Sequence, residues 1–168
     1  MTISMYQASV PRLANMLRNL DAILAKAQAH ALAKKVDPKV LLSARLFPDM
    51  LPMIKQVQIA TDHAKGAAAR LAGVEVPKFE DTEQSFEELQ ARIAKTLSFV
   101  ESFSAPQIDG SEEKQISLKV GGQDLTFNGQ TYLLGFAMPN FYFHVVTAYN
   151  ILRHNGVEIG KRDYIGTP

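Results

Sequence analysis

Residues 139–156, PNFYFHVVTAYNILRHNG, gather aromatic side chains, two of the chain's four histidines and the punctuation of a helix into one stretch. Pro139 suits the first turn of a helix, where its missing N–H is not needed, and Gly156 suits the left-handed stop. Arg153 and His154 fall in the last turn, where cations complement the helix dipole. Phe141, His144/Val145, Ala148 and Ile151/Leu152 recur at the three-four spacing of one buried face. The stretch reads as the last core helix of an all-helical bundle.

Working back towards the N-terminus, Tyr132 to Met138 is an apolar approach to that helix. Before it, Ile116, Leu118, Val120, Leu125 and Phe127 alternate around Gly121-Gly122, the pattern of a small hairpin with a primed turn. Two strands alone are marginal, so the hairpin is expected to pack on an end of the bundle. Phe86, Leu89, Ile93, Thr96/Leu97, Val100 and Phe103 predict a third helix, with Glu87, Glu88, Arg92 and Lys95 on its opposite side and Thr82 or Ser85 as cap. A second helix is expected from about Asp49 to Ala72, with Leu51, Ile54, Val57, Ala64, Ala68 and Leu71 on its stripe and Gly73 at its end. Gly66 in its interior suggests close approach by another element. The linker Val74 to Gln84 is long enough to cross the bundle, at roughly 3.3 Å per residue, so the second and third helices can run parallel or as a hairpin. A first helix spans Met5 to about Lys34, with a kink at Pro11 or a start near Ser9, and Asp37-Pro38 opens a short connector. The tail, residues 157–166, alternates apolar and polar and is expected to fold back.

The 168 residues fit one domain, 1–168, and 46% hydrophobic content supports a sizeable core. Eighteen basic against seventeen acidic residues give a net charge of +1, too little to attract nucleic acid. Without cysteine there is no disulfide, thiolate nucleophile or cysteine-held metal, so any metal needs histidine and carboxylate ligands. No apolar run approaches the roughly 20 residues of a membrane span and the N-terminus lacks a signal-peptide pattern, which points to the cytoplasm.

The first candidate site pairs His63 on the second helix with His144 on the last, since bundles build metal sites from side chains on facing helices. The alternative is two core histidines, each hydrogen-bonded to a neighbour. His154 lies ten residues beyond His144, roughly 80° away in azimuth and about 15 Å along the axis, and reads as an end cap; His30 reads as a surface residue. Residues 156–162, GVEIGKR, superficially resemble a phosphate loop, but the glycines stand one residue too close and Arg162 occupies the magnesium ligand's place. Lys161, Arg162 and Asp163 read as a tail anchored by salt bridges. The aromatic set Phe141, Tyr142, Phe143 and Tyr149 reads as core, dimer interface or small-molecule pocket. Tyr6 and Tyr149 carry hydroxyls that need partners if buried, and with Phe141 they define a possible pocket for a small ligand.

The runs TYLLGFAMPNF, LKVGGQDLTF and PNFYFHVVTAYNILRHNGVEIGKRDYIG resemble an uncharacterised domain-of-unknown-function family of the DinB/YfiT-like superfamily. The resemblance implies a DinB/YfiT-like four-helix bundle with a crossover connection, commonly a homodimer. It also implies a divalent metal, zinc or nickel, held by one histidine of the second helix and a His-x-x-x-His pair of the fourth. Some members of the superfamily act as thiol S-transferases or isomerases. The matching positions here are His63 and His144, while the second histidine of the pair falls at Ala148. The expectation is therefore a degenerate metal site left as a polar pocket, with a metal-dependent thiol enzyme or a structural interaction module as alternatives. The name DinB does not imply DNA binding.

Overall fold

The computed structural model describes residues 3–167 and is mostly helical, with one two-stranded antiparallel sheet. The first helix divides as its sequence predicts: α1 (Met5–Ala8) ends at Ser9, and α2 (Val10–Lys34) starts with Pro11 in its first turn. Asp37 caps α3 (Pro38–Ser43) by accepting from Lys39 N. The second long helix, α4 (Met53–Ala72), starts later than Asp49 because Pro52 supplies its N-cap, which leaves Leu51 outside the helix and 47% exposed. Gly73 ends it in the left-handed conformation, φ 77°.

The linker lies back along α4. Lys55 near its start holds Asp81 at 2.9 Å, and Gln58 Nε2 donates to Glu83 at 2.7 Å. α5 (Phe86–Glu101), capped by Ser85, therefore begins beside the first turns of α4 and runs parallel to it. Against α2 it runs antiparallel: Gln28 meets Glu87 while Arg18 meets Glu101.

Arg92 of α5 is not the solvated residue that helical periodicity suggests. It is 4% exposed, because the linker covers that face. Its guanidinium donates to Thr61 Oγ1 (2.7 Å), Asp62 (2.9 Å), Glu83 (3.0 Å) and the Glu80 carbonyl (3.1 Å), and pairs with Asp81 at 3.1 Å.

After α6 (Ala105–Ile108), β1 (Gln115–Val120) and β2 (Gln123–Asn128) pair in the register Ile116 to Phe127 and Leu118 to Leu125. Gly121 and Gly122, at φ 56° and 84°, form the primed turn. The apolar approach is itself helical: α7 (Gly129–Thr131) passes into a π-helical stretch (Tyr132–Ala137) and then into α8 (Met138–His154). Phe127 of the hairpin packs on Tyr132 and Phe136 of that stretch. The hairpin thus lies against the approach to α8.

α8 packs antiparallel on α4, with Tyr132 of the approach near Arg70 and His144 near Gln56. α9 (Lys161–Ile165) folds the tail back on α2, tied by Lys26 to Asp163 at 2.6 Å, with Val157 and Ile159 buried. No helix among the described residues is long and apolar enough to cross a membrane.

Candidate functional site

α4 and α8 set His63 and His144 side by side. Ala60, Ala64, Ala67 and Ala68 of α4 are all buried, and such short side chains let a facing helix approach closely. The two imidazoles stack, centroids 5.7 Å apart and planes 15° from parallel. Phe136 meets the His63 ring at 6.1 Å and 62°, and Phe143 stands edge-on to His144 at 5.2 Å.

Behind His144 lies buried Gln56. Its Nε2 donates to the Leu51 carbonyl at 2.9 Å, which leaves Oε1 to accept from His144 Nδ1 at 2.7 Å. An amide oxygen only accepts, so the proton is held on Nδ1 and Nε2 keeps its lone pair. Burial lowers the pKa of His144. For His63 the pKa falls from 6.5 to about 4, through burial first and then the neighbouring His144 and Arg70, with Asp62 opposing. Both rings are neutral near pH 7.

His63 also lines a cleft of about 280 Å³ with Asp62 and Arg70 of α4, Leu118, Lys119 and Val120 of β1, Phe136 of the π-helical stretch and Asn140 of α8. The π-helical turn matters here, since it carries Phe136 to this wall and Tyr132 to Arg70. Arg70 Nη1 donates to the Tyr132 hydroxyl at 3.0 Å, and burial raises that phenol's pKa. Asp62 is already paired, with Lys65 and with Arg92.

The metal that the resemblance implies does not fit these donors. Three protein ligands are expected of such a site, and His63 and His144 supply two. Ala148 is fully buried and cannot ligate. Asp62, the carboxylate of the same cleft, is committed to two cations. Among the described residues no group of three or more histidines and carboxylates is placed to hold an ion.

The other sequence candidates lie elsewhere. Phe141 is core, packed on Tyr142; Tyr149 faces Tyr164 at 6.0 Å; and the Tyr6 backbone N–H donates to Asp109 at 2.8 Å. None of the three lines the His63 cleft. His154 is exposed and His30 half-buried. Sequence reading missed Gln56 and Arg70. A signal for Arg70 was present, because His63, Gly66 and Arg70 share a helix face at spacings of three and four. Gly66 makes room for the guanidinium of Arg70 itself, where a Cβ would collide with Nη1, and not for another element.

A mostly helical chain with a two-stranded hairpin ahead of its last long helix has the architecture of a DinB-like protein. Residues 5–165 match the family described as Domain of unknown function (DUF1993), and the chain belongs to that family. It is similar to the crystal structure of a DinB family member from Shewanella denitrificans, at 44% identity and a TM-score of 0.87 over 97% of this chain and 92% of that one. No curated protein matches it.

Proposed function

We propose that this chain is a single-domain DinB/YfiT-like four-helix bundle, cytoplasmic and homodimeric, whose His63 and His144 descend from a metal site and now serve as a neutral polar pocket for a small molecule. Ala148, buried at the position where the third ligand would stand, is the observation that carries the reading. The cleft gives a ligand access to His63, whose uncharged imidazole, stacked on His144, offers it a hydrogen bond without repelling a charge of either sign. Leu134 and Phe143 are exposed apolar side chains that such a dimer would have available to cover.

One observation favours a second reading, a metal-dependent thiol S-transferase or isomerase. His144 is held through Nδ1–H by an acceptor, as metal-ligating histidines usually are. That reading requires a third donor from outside the described set. Elemental analysis for zinc and nickel separates the two. Protein purified from metal-supplemented culture, and its His144→Ala variant, should both carry far less than one ion per chain. A stoichiometric ion in the parent, lost in the variant, would overturn the degenerate-site reading in favour of the enzyme.

A further inference from the structure

We propose that the cleft between α4, β1 and Phe136 binds a small monocarboxylate, with its head group on Arg70 and its apolar part against Leu118, Val120 and Phe136. The inference deepens the pocket reading above and rests on it for the uncharged imidazole wall.

Arg70 is half-buried, and it has no carboxylate within ion-pair distance among the described residues. Among the described residues its one hydrogen bond is to the neutral Tyr132 hydroxyl, although a guanidinium presents five N–H donors. The contrast with Arg92 is instructive, since that side chain gathers Asp62, Asp81 and Glu83. A partly desolvated cation left with one neutral partner is short of acceptors, and the cleft is where an acceptor can arrive. Gly66 keeps the guanidinium's place on the helix surface clear, and Tyr132 holds it from the far side.

Charge and shape narrow the class. The one carboxylate on the wall, Asp62, is paired with Lys65 and Arg92, and Lys119 on β1 stands 4.0 Å from Asp124, which leaves Arg70 as the cation of the wall without a carboxylate. A planar guanidinium matches the two oxygens of a carboxylate in bidentate fashion. About 280 Å³ is the share of roughly nine water molecules, room for an acid of some six to eight heavy atoms. Leu118, Val120 and Phe136 give a hydrocarbon tail an apolar surface beside the guanidinium.

The test is calorimetric titration of the full chain with hexanoate, hexanamide and inorganic phosphate, repeated on Arg70→Gln and Arg70→Lys. Hexanoate is expected to saturate at one per chain and to bind about tenfold or more tighter than hexanamide, the gain of a charge-assisted pair. Arg70→Gln should abolish that preference and leave hexanamide binding unchanged. Arg70→Lys should fall between, since an ammonium lacks the fork. Failure of hexanoate to saturate, equal binding of the amide, unchanged hexanoate binding by Arg70→Gln, or tighter binding of phosphate would each overturn the proposal. Should Arg70→Gln not fold, the acid-to-amide comparison on the parent protein decides alone. Metal content of the same samples is read independently: an ion with hexanoate binding retained defeats the degenerate-site reading and leaves the Arg70 assignment standing.

Discussion

An imidazole whose pKa drops from 6.5 to about 4 on folding makes the folded chain the poorer proton binder at His63. The unfolded chain takes up that proton near 6.5 and the folded chain only near 4, so stability is full above pH 6.5 and declines as pH falls through that window. His144, shifted in the same direction, adds to the decline. After discounting for partial exposure, the His63 contribution is on the order of 2 kcal/mol. Melting temperatures followed across the window should fall more steeply for the parent than for His63→Gln; parallel curves would show that His63 is not the group responsible. The facing of His63 and His144 could be read from helical periodicity, because each sits beside an apolar stripe of its own helix. Arg70 shares a helix face with His63, which periodicity shows, but neither its role nor that of Gln56 could be recognised in the same way. Their roles depend on which helix lies opposite, and a glutamine or arginine on a helix has the same periodicity whether it meets water or a partner.

At the scale of elements, the linker from Val74 to Gln84 decides the arrangement and Arg92 holds it. Replacing Arg92 by methionine keeps the stem but leaves Asp62, Asp81 and Glu83 without their shared cation. A loss of about 3 kcal/mol is expected in chemical denaturation, together with faster proteolytic cutting between residues 74 and 84. An effect below about 0.5 kcal/mol, the size of an ordinary surface substitution, would mean that the linker is held by other contacts. The hairpin, the caps at Ser85 and Asp37 and the Pro11 start of α2 were all legible, since turn and cap chemistry is local. The burial of Arg92 was not legible, because it depends on a segment with no periodicity of its own. The π-helical stretch before α8 was equally hidden: Tyr132 to Ala137 reads as a plain apolar run, and the wider turn appears only once Phe136 and Tyr132 have packed against α4 and the hairpin.

For the whole molecule, exposed apolar side chains bear on assembly. Leu134 and Phe143 are each 55% exposed, and light scattering over a wide concentration range should return twice the chain mass of 18.6 kDa. A monomer mass throughout would remove the homodimer. The packing of α4 on α8 has a further consequence during synthesis. α8 is made last of the long helices, and 82 residues separate Ala72 from His154. At about 5–20 residues per second, the ribosome needs roughly 4–16 s to supply them. For that interval the face of α4 that carries Gln56 and His63 waits on the nascent chain, a surface for chaperones to guard until the last helix docks.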